Sequence, residues 1–399
     1  MIAEVVFWIG LLVSIGIGFV YFRDLGDVSQ MVLKVKRENM LRFIRHENTL
    51  IGFGLASAAA MTLAHLGFGG GSAWVFWPAL AFIALFYAFP WIYVHLGLRN
   101  QRATAHYFPI KEARQYVAPA NRVVVIEKDG VARAHPDHHM MRPHLAGNDE
   151  GLGGEDVVMT YCAMANLGIG YAPEIEGRPL KLEVLAQHGN NLILRDNDSG
   201  EPIQHIYGQL DRDGRDGTPM KAWPTFRMTF RGFEKAYPDG TVFLNKPSSN
   251  LLVRIFDMAM DIAFSSGIVR QHQEAAPLMD NMSHYDDRLP NKTYVWGIDI
   301  GTDAVCYTED FIKAQGNLVN ANIGARDIVI AHHPEYESTG AWYNDGGAPV
   351  TEVDFFGQSN HGKLQRVERL KAGLFWHVWV EFFPHTDINR TSADKAASA

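Results

Sequence analysis

The sequence predicts N-terminal transmembrane α-helices followed by a mainly β (β-rich α+β) soluble domain built from two repeated subdomains. Three observations carry that prediction. Residues 74–98 are almost wholly apolar, with Tyr and His as their only titratable side chains. Beyond about residue 100 the chain is polar and acidic, and its apolar runs are short and bounded by Gly, Asn and Asp. Two stretches of that polar part resemble one another at an offset of 171–172 residues.

The chain has 399 residues, room for two or three domains. A helix rises about 1.5 Å per residue, so 74–98 is long enough to cross a hydrocarbon core. Pro78 and Pro90 fall inside it, which membrane helices tolerate. A second span is expected at about 49–68. Gly52, Ala56 and Ala60 share one stripe of it, and small residues at that spacing let helices approach closely. A third covers 5–22. Its flank carries Glu4 and no positive charge, and no small-x-small cleavage site follows, so it reads as a retained helix rather than a signal peptide.

With three spans, the 23–48 loop and everything after residue 98 share one side. Both flanks are basic, with Arg23, Lys34, Lys36, Arg37, Arg42 and Arg45 in one and Arg99, Arg102, Lys111 and Arg114 in the other. The opposite side has no Lys or Arg, so the positive-inside rule puts the soluble domain in the cytoplasm. The protein is then a multi-pass protein of the inner (plasma) membrane. In the loop, Met31, Val32, Val35, Met40, Leu41 and Ile44 alternate with charges. That pattern fits an interfacial amphipathic segment or a plain connecting helix.

The net charge of −8 argues against nucleic-acid binding, which needs a basic surface. The partners expected are the lipid bilayer and a membrane protein contacted through the helices. Cys162 and Cys306, the only cysteines, are too few for a disulfide framework.

In the soluble part, the segment from Ile126 aligns with that from Ile298. Ala132 then meets Ala304, Asn148 meets Asn320, Gly153 meets Gly324 and Asp156 meets Asp327. Each copy closes on an aromatic segment, with Phe230 against Trp376, Phe233 against Trp379 and Pro238 against Pro384. Strands are expected at 123–127 and 131–135 around the Lys128-Asp129-Gly130 turn, at 157–161 and 328–331, and at 180–184 and 192–195 around Gly189-Asn190. Leu251, Leu252, Ile255, Phe256, Ala259, Ile262 and Ala263 recur at helical spacing. The expected division is a membrane anchor over 1–100, a first β-rich repeat over 117–245, a helix-bearing connector over 246–292, a second β-rich repeat over 293–390 and a disordered tail over 391–399.

These residues carry a family resemblance. The family pattern runs G-x-A-x-A-Y-P, H-E-x-V-N-D, then G-G-x-P-V-x-V-T-Y-C-P-L-C-G. Here the counterparts are Gly130–Pro136, His144–Asp149, Gly153-Gly154 and Thr160–Asn166. Downstream, 190–196 is similar to N-x-D-L-x-M-Y-D, 230–239 to W-x-x-W-x-x-x-H-P-D, and 287–290 to D-x-R-L-P. Over about 117–388 the chain resembles a bacterial family of domains of unknown function, DUF3179. The resemblance implies no assigned reaction. It implies an exported domain, opposite to the charge rule. Two departures stand out. The family's C-x-x-C is Cys162-Ala163-Met164-Ala165 here, and Leu145 replaces the Glu after His144.

Cys162 reads either as a core cysteine or as a metal ligand or redox thiol. Met164, His144 and, at the repeat-equivalent position, His333 favour the second, because Cys, Met and His suit copper or zinc. The candidate metal set is Cys162, His144, Met164, His188 and His205, with Asp149 orienting His144. His135, His138, His139 and His144 cluster without a structural-zinc spacing, and a polar surface loop is the plainer reading of them. Phe230, Phe233, Trp376 and Trp379 read as core. No phosphate loop, G-x-S-x-G, H-E-x-x-H or Rossmann fingerprint is present. Three function classes follow: a membrane-anchored metal-binding or redox accessory domain, a non-catalytic interaction module of a membrane complex, and, last, an enzyme with His144 as acid/base.

Overall fold

The three apolar stretches form helices, each long and apolar enough to cross a membrane: Ile2–Leu25, Glu47–Phe68 and Ala73–Gly97. The computed structural model describes residues 1–30, 32–98, 101–211, 217–391 and 394, and only the backbone at 27, 28 and 263–269. Met31 and Arg99, and most of the expected tail, thus lie outside the described residues. The third helix ends in a π-helical turn, Ile92–Gly97.

The spans pack through small residues, though not the expected ones. A Cβ on Gly10 would fall 2.7 Å from the Ser57 carbonyl oxygen, and one on Gly54 would fall 1.9 Å from the Tyr87 hydroxyl. Gly18 likewise faces the Tyr87 ring. The Tyr87 hydroxyl donates to the Ser14 carbonyl at 3.0 Å, tying the first span to the third. The expected stripe of Gly52, Ala56 and Ala60 instead turns away from the bundle. Gly52 meets nothing within 4 Å and Ala56 is exposed. The packing face of the second span is Gly54, Ala58 and Met61, roughly 200° further round the helix from Gly52 at 100° per residue.

The 23–48 loop folds as a helix, Arg37–Arg45, with Met40, Leu41, Phe43 and Ile44 buried. These apolar residues share one cluster with the spans and with Leu185, Ala186 and Ile193 of the soluble domain. The segment is therefore amphipathic, and its apolar face is buried by protein.

That contact is made by a four-stranded antiparallel sheet of Leu182–His188, Asn191–Asp196, Pro202–Gln204 and Gln209–Leu210. Its hairpin turns at Gly189 and Asn190, both with positive φ, as Asp129 and Gly130 have in the expected turn before Val131. One face of the sheet sits on the bundle. Leu182, Val184, Leu192 and Leu194 join the main core.

Four further sheets make up the body. In one, Thr225–Thr229, Arg122–Lys128 and Val131–Pro136 are antiparallel neighbours, and Thr241–Phe243 joins parallel. In another, Leu370–Phe375, Tyr294–Ile300, Asp303–Thr308 and Asp387–Asn389 follow the same order and the same pairing senses. Leu145–Ala146, Val158–Cys162, Leu167–Tyr171 and Ala222–Trp223 form a third, and Leu318–Ile323, Arg326–His333, Ser338–Tyr343 and Gln365–Arg366 form a fourth of like order. The halves differ in the sheet on the bundle and in the edge strand Tyr107–Pro109, which the first half alone carries among the described residues. Phe230, Phe233, Trp376 and Trp379 are fully buried, as core aromatics should be. The connector carries a helix, Leu251–Gln273, capped by the Asn250 side chain, which accepts from the Leu252 and Val253 amides.

Candidate functional site

Cys162, His135 and His188 sit on strands, His144 and His205 in the turns beside strands, and all five are buried. Cys162 ends the strand Val158–Cys162 and is fully buried, and its thiol lies 3.6 Å from the Asn190 carbonyl. Asn190 is itself held through Met279, whose carbonyl and amide it binds at 3.0 and 3.1 Å. Met164 is buried in the same core.

His205 has both ring nitrogens engaged. The Thr160 hydroxyl donates to the Ile169 carbonyl at 2.7 Å, so it accepts from His205 Nε2 at 2.8 Å. Asn191 Nδ2 approaches His205 Nδ1 at 3.2 Å, and Asn191 Oδ1 accepts from Gln204 and the Ile206 amide. This assigns the Nε2–H tautomer. Burial pushes His205 down to about 3, and the charge of His144 acts in the same direction. His144 is also buried, which lowers it to about 4. A neutral imidazole closed off from solvent is a poor start for acid/base work on an external substrate.

His188 bridges domain and loop, with Nε2 at 3.4 Å from the Val35 carbonyl, and burial followed by the Arg37 charge lowers it to about 4. Most of the His135–His144 segment is buried rather than a solvated loop, although His138 is exposed. His135 is fully buried and lowered to about 3, with the Tyr107 hydroxyl at 3.0 Å from its Nε2. Asp149 is exposed whereas His144 is buried. Asn148 makes the inward contact, accepting from Arg133 at 3.0 Å. The structure thus brings His144 and His205 near each other, but sets His188 at the membrane-side loop and Asp149 at the surface. Among the described residues, no group of three or more His, Cys, Asp or Glu is placed to hold a metal ion.

Two arrangements went unread in the sequence. At the junction of bundle and domain, Arg195 ion-pairs with Glu47, at the start of the second span, and with Glu183. Tyr21 of the first span donates to Glu47 at 3.1 Å, and His95 of the third lies 3.7 Å from it. All three spans therefore meet one arginine-centred cluster, with Glu47 and Arg195 both buried. Glu47, the only Asp, Glu, Lys or Arg between Arg45 and Arg99, is the signal that could have found it.

At the seam of the two halves, Glu309 and His332 are 3.3 Å apart in an open polar pocket of about 420 Å³ that also takes in Arg122 and Lys313. Burial opposes charge on Glu309, but hydrogen bonds from His332 and Lys313 outweigh it and hold the carboxyl at about 2. These residues come from a helix start and a distant strand, and no local motif joins them.

A family model described as a protein of unknown function (DUF3179) matches residues 102–386. No curated protein and no solved structure matches the chain.

Proposed function

The chain belongs to the DUF3179 family of proteins of unknown function, and from that premise we propose that it is a non-catalytic interaction module of a membrane complex. One observation carries the reading: the β domain and the spans are built as one body. Leu185, Ala186 and Ile193 share a core with the three spans, and the Glu47–Arg195–Glu183 cluster closes over it. Such a junction holds the domain in one orientation over the membrane, as a docking platform requires. The outward Gly52–Ala56 face of the second span offers a partner helix a close approach.

The metal or redox reading needs Cys162, His144 and Met164 to share a ligand sphere. The thiol contact to Asn190 and the core setting of Met164 support a packing role instead. The like strand order of the two halves supports reading the domain as a duplicated unit. Halves that failed to superpose on those strands at the 171–172 offset would overturn that.

The test is purification of the full chain from its native membrane in mild detergent, with native mass spectrometry and elemental analysis on one preparation. A stoichiometric membrane partner is expected. It should be lost in a G52L/A56L variant that keeps its unfolding midpoint, with no stoichiometric copper or zinc. Stoichiometric metal that disappears in Cys162→Ser, at unchanged fold, would restore the metal reading.

A further inference from the structure

The connector helix Leu251–Gln273 is amphipathic in the wrong sense for a soluble protein. Leu251, Ile255, Met258 and Ile262 recur every three or four residues and share one face, with Leu252 beside them. Each is more than half exposed. The acids lie on one flank, roughly 110° round the helix from the stripe at 100° per residue. Arg142, itself buried, donates to Asp257 at 2.8 Å and to Asp261 at 3.0 Å. The apolar side thus faces out while the acids reach inward to Arg142, the reverse of the apolar-inward helix on a water-bounded core.

The position of the helix explains the reversal. The same Arg142 donates to the Gly97 carbonyl and reaches the Leu96 carbonyl at 3.4 Å, at the end of the third span. The Met260 methyl lies 2.8 Å from where a Gly97 Cβ would stand. The helix is therefore clamped to the last turn of a span whose own outward residues, Trp91, Ile92 and Leu96, are exposed and apolar. Its apolar stripe continues that lipid-facing surface.

We propose that Leu251–Gln273 is an in-plane membrane helix whose apolar stripe is covered by lipid acyl chains. It is not among the three helices apolar enough to cross, and Arg254, Asp257, Asp261 and Arg270 would be costly in a bilayer centre. Lying in the interface suits it. The stripe enters the acyl boundary, while exposed Arg254, with no ion pair among the described residues, reaches the lipid phosphates. A groove of about 580 Å³ runs along the stripe, lined by Leu251, Ile255, Met258 and Ile262 together with Arg254, Asp257 and Asp261. The reading stands apart from the proposed docking role, since a lipid-covered connector needs no partner protein.

The test uses the full chain in vesicles of phosphatidylethanolamine and phosphatidylglycerol. Met258→Cys and Ile262→Cys carry a nitroxide label, and Asp239→Cys is the water-exposed reference. Cys162 and Cys306 are fully buried, so labelling is selective. At Met258 and Ile262 the ratio of oxygen to nickel-chelate collision is expected to be several-fold above that at Asp239. A ratio equal to the reference overturns the proposal. So does protection from both reagents, which would mean a protein cover. Spin–spin broadening removed by diluting with unlabelled chain would identify that cover as a second copy. Unchanged tryptophan fluorescence confirms that the labelled chains are folded.

Discussion

At the scale of single residues, the chain keeps an unusual set of imidazoles neutral. His135 and His205 are lowered to about 3, and His144, His188 and His377 to about 4, burial being the first cause for each. A histidine whose folded pKa lies below its unfolded value near 6.5 binds fewer protons when folded. Its stabilising contribution is present above about pH 6.5 and is lost as pH falls from there toward 4. Each such group weakens the fold by about 1.4 kcal/mol per pH unit in that window. The unfolding midpoint in detergent should therefore hold steady from pH 8 to 7 and drop steeply between 6 and 4.5. A flat profile would mean that these rings reach solvent. His144, His205 and Cys162 were conspicuous in the sequence because of their type. Their spacing said nothing of the contacts that complete their surroundings: Asn190 of a turn to Cys162, and Thr160 and Asn191 of two strands to His205.

At the scale of elements, the junction of sheet and bundle concentrates the ionic interactions. Arg195 is buried with Glu47 and Glu183 against it. Removing one partner of a buried ion pair leaves the other uncompensated, at a cost of about 3–5 kcal/mol. Arg195→Ala should accordingly lower the unfolding midpoint sharply. The double variant E47Q/R195A should recover part of the loss, because the orphaned carboxylate is gone. Equal losses in single and double variants would show that Glu47 is not the group that needs Arg195. The strands themselves were legible. The turns at Asp129-Gly130 and Gly189-Asn190 fall where the sequence puts them, because only residues tolerating positive φ fit there. The packing face of the second span was not legible, because Gly52 and Gly54 are equally small and only the neighbouring Tyr87 decides which one must be.

At the scale of the whole molecule, the loop charges have two uses. Arg37 pairs with Asp211, Arg45 lies 3.5 Å from Glu201 and Lys34 lies 3.6 Å from Asp280, so the basic loop grips the acidic domain. The positive-inside rule acts during insertion, before such pairs form, so the prediction from the basic flanks remains a domain on the cytoplasmic side. A fluorescent reporter fused at the C-terminus should therefore fluoresce, and an alkaline phosphatase fusion should be inactive. The reverse pattern would put the domain on the exported side, as the family resemblance implied.

Three helices apolar enough to span a membrane, the β-rich domain, its hairpin turns and the family were all legible in the sequence. Each of these depends on local composition and period, which any window of the chain displays. The fold alone set which glycines let the helices close and which acid meets Arg195. The fold also buried the loop's apolar face against protein and turned the apolar side of Leu251–Gln273 outward. Those outcomes depend on partners distant in the chain, 115 residues apart for Arg142 and Asp257, and a one-dimensional pattern carries no record of which distant atoms will be neighbours.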